Sequence, residues 1–268
     1  MDGAAEDMVD RSSTLENAAG REHQMSYSEY VSGVSFRFIQ PHTPVPSGFR
    51  GSGVFARMFE RCNVVLDLLN TRLPDDEQQT KTRLGEMCKI PRMSTFAIAA
   101  LVNRGVSRMP DGQAFVNVGV WNGFTFLSGM VSNPLKTCIG VDNFSESAGP
   151  RGAFYGRFKR YRSQNHRFYE MDCMDYFSRI HSEPIGFYIY DGNHSYENQV
   201  KGLEMAEQFL AEDCLVLVDD TNWAEPWQAT MDFIAKRPNQ YRILLDQKTR
   251  SNRHPTFWNG VMVFQKVK

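Results

Sequence analysis

The sequence predicts an α/β fold, a doubly wound and mostly parallel seven-stranded sheet whose last strand is antiparallel, and three observations lead to this prediction. From Gln113 onward, short apolar runs alternate with helical stretches. The runs are apolar throughout rather than at every second residue, which is typical of parallel strands covered on both faces. Only a loop from Asp246 to Asn259 separates the last two runs, which is too short for a crossover helix, so we expect these two strands to pair antiparallel.

The composition of the chain indicates a soluble globular protein. Its 268 residues, 41% of them hydrophobic, suit one large domain with an added segment. The 30 basic and 31 acidic side chains nearly cancel, so the chain as a whole does not attract nucleic acid or an anionic membrane. Scattered cysteines without a CxxC pair, and no apolar run approaching roughly 18–20 residues, predict a cytoplasmic protein with neither a zinc site nor a membrane span.

The N-terminal part of the chain is expected to precede the sheet as an addition. Residues 1–25 combine six acidic and two basic side chains with few large apolar ones, which predicts a flexible tail. Residues 26–112 are predicted to form a lid and a helical extension. Within them, the prolines and glycines of Gln40–Gly53 indicate a linker or lid, and apolar residues recur at helical spacing from Val54 to Leu69. A second helix is predicted from Ser94 to Val106.

Residues 113–268 are predicted to form the sheet domain. Its candidate strands are Ala114–Val118, Thr137–Val141, Arg167–Met171, Ile185–Tyr190, Cys214–Val218, Tyr241–Leu245 and Gly260–Gln265. The clearest helix between them runs from Tyr196 to Leu210, where apolar residues share one face. Ligands of such sheets bind at the carboxyl ends of the strands, so a functional site is expected there.

A glycine turn follows the first strand. Gly119 and Gly123 allow the backbone to turn tightly and to approach a ligand before the next helix begins. Asp142 lies at the tip of the second strand, where a carboxylate can accept both hydroxyls of a ribose. These residues favour a nucleoside-containing cofactor, and the missing GxGxxG and P-loop spacings argue against a dinucleotide or ATP. A turn that binds nothing is the alternative.

Four segments resemble the successive motifs of class I S-adenosylmethionine-dependent methyltransferases. They are Val116–Thr125, Gly140–Phe144, Tyr188–Tyr196 and Leu217–Asp220. The Asp-Gly-Asn-His-Ser-Tyr stretch within the third segment is most similar to the branch that includes the macrolide-sugar O-methyltransferases and the cephalosporin-hydroxylase-like proteins. The resemblance covers roughly residues 93–268 and implies a Rossmann-like methyltransferase domain.

The resemblance implies a set of residues that bind S-adenosylmethionine. They are Asn117, Gly119, Trp121, Asn122 and Gly123 in the first motif, with Asp142, Asn143, Asp172 and Asp191 at the following strand ends. The glycine turn is implied to receive the methionine part of the cofactor, Asp142 the ribose, and Asp172 the surroundings of the adenine amine. The family usually has Glu or Asp where this chain has Asn117, which cannot pair by charge with the cofactor's ammonium group.

Three aspartates are expected to share one crevice. Asp191 follows the fourth strand, and Asp219 and Asp220 follow the fifth. Like charges at adjacent strand ends repel unless a cation or protons intervene, and carboxylate oxygens suit Mg²⁺ or Ca²⁺. The arrangement is similar to that of catechol-type O-methyltransferases, in which such acids hold a divalent metal that orients two substrate hydroxyls and lowers a hydroxyl pKa. The alternative is structural: Asp220 caps the following helix and Asp219 hydrogen-bonds a loop.

His194 is the candidate general base, because its ordinary pKa lies near neutral pH and it follows Asp191 by three residues. Catechol-type enzymes have a lysine at this offset. Two alternatives stay open: His194 only stabilises the turn, or Asp191 itself is the base if no metal binds.

Further side chains are candidates for substrate contact. Trp223, Trp227 and Trp258 lie beside strand ends, where they suit sugar faces or the core equally. The six basic residues from Arg151 to Arg167 predict a solvated helix face, or else a site for a substrate phosphate or carboxylate or for RNA, with Arg151 as the substrate contact.

We therefore expect residues 113–268 to form the catalytic domain of a Mg²⁺-assisted O-methyltransferase. Its acceptor is a hydroxyl of a sugar or another polar small molecule, such as a natural-product intermediate, and neither a membrane nor nucleic acid is an expected partner. The alternatives are an RNA or nitrogen methyltransferase that docks through the basic run, and an accessory protein that binds cofactor without turnover. A homodimer is expected, with contacts from the N-terminal segment.

Overall fold

The computed structural model describes residues 25–43, 66–74, 78–145 and 150–267. The tail predicted for residues 1–25 lies outside them except for Met25. Most of the predicted linker, from residue 44 to Gly53, and the predicted helix from Val54 to residue 65 also lie outside them.

A seven-stranded sheet forms the centre of the molecule, as the sequence predicts. Its strands are β3 (Ala114–Val118), β4 (Thr137–Val141), β5 (His166–Tyr169), β6 (Ile185–Tyr190), β7 (Leu210–Asp219), β8 (Tyr241–Gln247) and β9 (Val261–Lys266). They lie in the order β5-β4-β3-β6-β7-β9-β8. The pairs from β5 to β7 are parallel, and β9 is antiparallel to both β7 and β8. The predicted antiparallel last strand is thus confirmed, and β8 runs in the direction of β7.

Helices cover both faces of this sheet. Within the sheet domain they are α4 (Phe124–Met130), α5 (Arg151–Tyr161), α6 (Cys173–Arg179), α7 (Tyr196–Glu207) and α8 (Ala224–Ala235). Two separate clusters of buried apolar side chains, one on each face, hold the layers together. This is the Rossmann-like methyltransferase fold expected from the sequence.

The predicted helix from Tyr196 to Leu210 is too long at its C-terminal end. The helix ends at Glu207, and Leu210 is the first residue of β7. The carbonyl oxygen of Phe209 accepts a hydrogen bond of 2.7 Å from the Ile185 N–H, so the chain already pairs with the sheet at this point. Apolar periodicity alone could not distinguish the last helical turn from the start of a buried strand.

The N-terminal elements pack on the same core as the sheet. They are α1 (Tyr27–Gly33), β1 (Ser35–Phe36), β2 (Thr71–Arg72), α2 (Gln78–Met87) and α3 (Phe96–Arg108), with β1 antiparallel to β2. The Tyr27 hydroxyl donates to the Leu101 carbonyl oxygen at 3.0 Å, and Tyr30 is fully buried. The described part of residues 26–112 is therefore integrated with the sheet domain; its role as a lid stays a prediction.

The short helical stretch at residues 66–70 differs from its predicted apolar stripe. Leu69 is 55% exposed, whereas Asp67 is buried. The Asp67 carboxylate accepts a 2.7 Å hydrogen bond from the Phe96 N–H at the start of α3 and lies 2.8 Å from the Arg92 guanidinium. This polar contact joins the stretch to the start of α3, while Leu68 packs against the apolar core.

No helix in the described part of the chain is long and apolar enough to cross a bilayer.

Candidate active site

The register of the sheet brings the predicted site residues into one row. At the carboxyl ends of four neighbouring strands, Val118 pairs with Val141 and with Tyr190, and Tyr190 pairs with Val218. The next residues along these strands are Gly119, Asp142, Asp191 and Asp219. Strand order changes direction between β3 and β6, and a crevice opens at such a switch point. The predicted cofactor turn and the predicted acids therefore lie side by side.

Gly119 is in contact with the loop that carries the candidate base. Its φ of 78° lies in the left-handed region, and a Cβ built there would lie 1.8 Å from the Asp191 carbonyl oxygen. Any side chain would push the two loops apart. Glycine is thus required both for the turn and for the close approach.

Asn117 supports the glycine turn from below. Its side chain is fully buried, and Nδ2 donates to the carbonyl oxygens of Val118 at 3.1 Å and Gly119 at 3.0 Å. The Oδ1 atom is buried without a hydrogen-bond partner among the described residues. A buried acceptor in this state costs free energy unless a donor from elsewhere reaches it.

Asp142 holds the glycine turn to the next strand. Its Oδ2 accepts hydrogen bonds from the N–H groups of Val120 at 2.8 Å and Trp121 at 2.9 Å, and its Oδ1 accepts one from Phe144 at 2.7 Å. Trp121 and Phe144 have φ angles of 44° and 52°, which are costly for bulky residues. The sequence predicted a ribose ligand at this position and missed this structural role, which the residue's place at the tip of the adjacent strand could have suggested.

The other predicted cofactor residues also make local hydrogen bonds. Asp172 caps α6 by accepting from the Met174 N–H at 2.7 Å, and Asn143 accepts from the Ser145 N–H at 3.0 Å. Asn122 is buried, and its Oδ1 accepts from Arg157 at 2.9 Å. These three side chains lie along the same edge of the sheet, at or after the ends of β3, β4 and β5.

His194 lies between two of the predicted acids. Its Nε2 is 3.1 Å from Asp220 Oδ2 and 3.6 Å from Asp191 Oδ1. Its Nδ1 is buried and has no hydrogen-bond partner in the described part of the chain. The loop after β6 and the end of β7 thus bring together the predicted base and two predicted acids.

Asn259 completes this group, and the sequence interpretation missed it. Its Nδ2 donates to Asp220 Oδ1 at 2.5 Å, opposite the side that faces His194. Asp219 in turn accepts the Asp220 N–H at 2.9 Å through Oδ1. The structural alternative for Asp220 was a helix cap, but α8 has no side-chain cap at its N-cap residue, Trp223.

A repeated tripeptide could have pointed to Asn259. Trp-Asn-Gly occurs at residues 121–123, in the cofactor turn, and again at residues 258–260. In both copies the Trp has a left-handed φ, 44° and 53°, and the Gly likewise, 93° and 88°. The two copies thus share a turn conformation at the same edge of the sheet.

Burial raises the pKa values of Asp191, Asp219 and Asp220, which together form the acid cluster. It raises the pKa of Asp191 to about 6; His194 opposes this shift, and the charges of Asp220 and Asp142 reinforce it. Burial, together with Asp220 and Asp191, raises the pKa of Asp219 well above its ordinary value. The pKa of Asp220 is raised by burial as well, against the opposing effects of His194 and Asn259. Protons and an imidazole therefore offset the repulsion between these carboxylates.

The predicted Mg²⁺ site at Asp191, Asp219 and Asp220 finds no support in this arrangement. Both carboxylate oxygens of Asp220 are engaged, one by Asn259 and one by His194. In the described residues no group of three or more His, Cys, Asp or Glu side chains is placed to hold a metal ion.

The three predicted tryptophans lie in different surroundings. Trp223 is 41% exposed, and its ring stands edge-on to the His194 imidazole with centroids 5.3 Å apart. Trp258 is half-buried against the core and precedes Asn259. The Trp227 indole N–H donates to Asp246 at 3.0 Å and has no ring contact with His194 in the described residues. Trp223 is therefore the tryptophan in contact with the candidate base.

Several cations of the predicted basic run make contacts within the molecule. Arg151 pairs with Glu170 at 2.8 Å, Arg157 binds Asn122, and Arg167 pairs with Glu183. These contacts favour the interpretation of the run as a surface helix face.

Comparison with known proteins agrees with the fold and the order of the motifs. Residues 116–221 match the family model described as "Methyltransferase domain". A crystal structure of a protein from Corynebacterium glutamicum aligns with a TM-score of 0.52 at 13% identity, covering 79% of this chain and 98% of the other. A candidate O-methyltransferase from Klebsiella pneumoniae aligns with a TM-score of 0.51 at 12% identity, covering 74% and 92%. At this identity the two likenesses concern the fold alone. None of the curated proteins matches the sequence.

The matched segment begins within β3 and ends directly after Asp219 and Asp220, so it spans the glycine turn, Asp142 and His194. The match of residues 116–221 to a methyltransferase domain agrees with the class of enzyme predicted from the sequence, an S-adenosylmethionine-dependent methyltransferase.

Proposed function

We propose that this protein transfers a methyl group from S-adenosylmethionine to a hydroxyl oxygen of a sugar or another polar small molecule, with His194 as the general base. The observation that carries the proposal is the position of His194. The imidazole lies 3.1 Å from Asp220. His194 is in the loop after β6, and β6 pairs with β3, which leads into the glycine turn, so the candidate base and the candidate cofactor loop share one crevice.

The residues of the glycine turn fit the cofactor. The unpartnered Oδ1 of buried Asn117 is an acceptor for an N–H donor, such as the cofactor's ammonium group. The Asp142 carboxylate, after its three backbone hydrogen bonds, keeps acceptor capacity on Oδ1 for a ribose hydroxyl. Asn143 and Asp172 are the candidates for the nucleoside end. When bound, the cofactor supplies an electrophilic sulfonium methyl.

The contact between His194 Nε2 and Asp220 Oδ2 supports a choice of the proton-accepting atom. In the neutral imidazole, a proton on Nε2 is donated to Asp220 Oδ2, which leaves the lone pair on Nδ1. Nδ1 then removes the proton of the acceptor hydroxyl, and the hydroxyl oxygen attacks the methyl group as this proton leaves. Asp220, fixed by Asn259, stabilises the imidazolium that forms. Nδ1 is buried, so the acceptor must displace a neighbour, and the exposed Trp223 ring is the candidate.

Isothermal titration with S-adenosylmethionine tests the cofactor step, and release of S-adenosylhomocysteine from pools of polar hydroxyl compounds tests transfer. We expect binding by the native chain and, for His194→Gln, unchanged cofactor affinity with turnover lower by about 10²-fold or more. Arg179→Ala, an exposed change on α6, serves as the control. If the native chain bound no cofactor, the proposal would be wrong.

Assistance by Mg²⁺ stays a prediction from the resemblance. Turnover measured with added Mg²⁺ and with a chelator tests it. Equal rates in both would remove the metal from the proposal and leave His194 as the base.

A further inference from the structure

A polar groove lies beside the acid cluster and takes no part in the chemistry proposed above. It has a volume of about 440 Å³ and is lined by Asn222, Lys248, Thr249, Arg250, Ser251 and Asn252. This volume is within the range of small-molecule sites, roughly 300–1,000 Å³. We call it the loop groove, because five of its six lining residues lie in the loop between β8 and β9.

The loop groove opens at the same edge of the sheet as the candidate active site. Since β8 runs parallel to β7, the chain leaves both strands at this edge. Asn222 lies two residues after Asp220, and its N–H donates to the Asn259 carbonyl oxygen at 2.7 Å. Asn259 also holds Asp220, so one residue joins the wall of the groove to the acid cluster.

The described lining of the groove contains two cations and no acid. Arg250 is exposed, and its guanidinium has no hydrogen bond or ion pair to the described residues. Its backbone N–H donates to the Pro41 carbonyl oxygen at 3.0 Å. The Lys248 ammonium lies 4.4 Å from the centroid of the Trp227 ring. The backbone of one cation and the head group of the other are thus held in place.

The floor of the groove is held by hydrogen bonds between its own residues. Thr249 is buried, and its N–H donates to Asn222 Oδ1 at 2.9 Å. Asn222 Nδ2 donates to Thr249 Oγ1 at 2.9 Å and to Asn252 Oδ1 at 3.1 Å. A site fixed before binding loses less conformational entropy when a ligand enters.

We propose that the loop groove binds a phosphate monoester group and that this group belongs to the methyl acceptor. Two cations match a doubly charged anion better than a single carboxylate, and a guanidinium can bind two phosphate oxygens at once. With the phosphate held by these two cations, the uncharged, hydroxyl-bearing end of the molecule can face His194, because Asn222 and Asn259 join the groove to the acid cluster. The assignment to the acceptor rests on the function proposed above, whereas the anion site itself does not.

Inorganic phosphate is the probe for the test, added to the full-length chain without cofactor and followed by calorimetry and by amide chemical shifts. We expect saturable binding with shifts at residues 249–252 in the native protein, which requires no variant. Lys248→Ala/Arg250→Ala should weaken phosphate binding by about tenfold or more. The matched control, Lys89→Ala/Arg179→Ala, removes the same charge from exposed positions elsewhere and should leave the affinity unchanged.

Each contrary outcome overturns a defined part of the proposal. Absent phosphate binding, shifts confined to other residues, or an equal loss in the control variant would each refute an anion site in the groove. Acetate binding as tight as phosphate would refute the phosphate assignment. Cofactor titration on the same samples separates the two proposals: cofactor binding without phosphate binding removes only the groove, and phosphate binding without cofactor binding removes only the methyl transfer.

Discussion

At the scale of single residues, the fold must accommodate the three neighbouring carboxylates of Asp191, Asp219 and Asp220. Asp219 and Asp220 are buried and Asp191 is half-buried, and the burial and mutual repulsion of these carboxylates raise their pKa values. The sequence located the three acids and His194 at the right strand ends. It could not supply their hydrogen bonds, because those depend on Asn259, which reaches Asp220 from a loop 39 residues further along the chain.

Asp219→Asn should stabilise the protein at neutral pH. A buried carboxyl whose pKa is raised above its ordinary 3.8 favours folding most when protonated, and this contribution is lost as pH rises through the raised value. The stability of the variant relative to the native chain should therefore increase with pH above about 4, reaching on the order of 1 kcal/mol or more at pH 7. Urea unfolding across pH 4–8 measures this.

The control for this prediction is Asp175→Asn, which changes an exposed carboxylate on α6. It should not show the gain. A native chain that is as stable as Asp219→Asn at every pH would contradict the raised pKa of Asp219.

Gly119→Ala should abolish cofactor binding and disturb the His194 loop together. The added methyl would overlap the Asp191 carbonyl oxygen at 1.8 Å. Gly112→Ala is a matched control, because Gly112 also has a left-handed φ, 83°, but its added methyl meets no atom within 4 Å. Both variants carry the strain of an alanine at positive φ, roughly 1 kcal/mol, so only a difference between them in cofactor titration reports the contact. Equal affinities would show that the contact is unimportant.

At the scale of secondary-structure elements, the sequence predicted the strands of the sheet and their order of appearance. Continuous apolar runs are strong signals, and β3, β4 and β6 have the bounds that were expected. Other boundaries were misplaced. The predicted helix ran past the end of α7 into the buried start of β7, which begins at Leu210 rather than Cys214, and β5 ends at Tyr169 rather than Met171. The conformation of the β8–β9 loop could not be predicted, because it depends on hydrogen bonds between Thr249 and the distant Asn222.

The buried ion pair between Asp67 and Arg92 lies at the start of α3, and its contribution to stability can be tested. Burial raises the pKa of Asp67 to about 6, while the Arg92 charge opposes that shift. Arg92→Ala leaves the carboxylate buried without its partner, which should cost about 3 kcal/mol of unfolding free energy at pH 8 and less at pH 5, where Asp67 is protonated. Chemical denaturation at the two pH values measures the effect.

Two further variants sharpen this test. Lys89→Ala removes an exposed ion pair with Glu86 and should change stability by less than about 1 kcal/mol. Asp67→Asn added to Arg92→Ala should recover part of the loss, since it removes the unpaired charge. A cost of Arg92→Ala that did not depend on pH would mean that Asp67 is not the residue responsible.

At the scale of the whole molecule, the N-terminal segment is the part that the sequence described least well. The sequence interpretation of Tyr27 to Gly53 as a lid or a dimer contact stays a prediction, but it did not include the burial of Tyr30, Val34 and Phe36 in the core that covers the sheet. Local composition did not reveal this, because their partners come from distant positions, such as Phe257, whose ring lies 5.1 Å from that of Phe36.

A pair of truncations tests this integration. Removing residues 1–24 should leave the thermal midpoint unchanged, since their composition predicts a flexible tail. Removing residues 1–43 should lower unfolding free energy by on the order of 5 kcal/mol, because several large apolar side chains lose their burial. Calorimetry compares the two truncated proteins with the full chain. Equal midpoints for both truncations would mean that residues 25–43 do not stabilise the sheet domain.

The contact between Gly119 and the Asp191 carbonyl group has a consequence for how this enzyme can diversify. The glycine turn and the His194 loop contact each other through backbone atoms, so one loop cannot move unless the other moves with it. The effect of a substitution at Gly119 should therefore depend on the residues around Asp191, and the reverse. The exposed cations at residues 248 and 250 have no such constraint. Substitutions in the β8–β9 loop should therefore change which acceptor is preferred, both in natural descendants and in laboratory libraries. The backbone contact between Gly119 and Asp191 should stay the same in these variants.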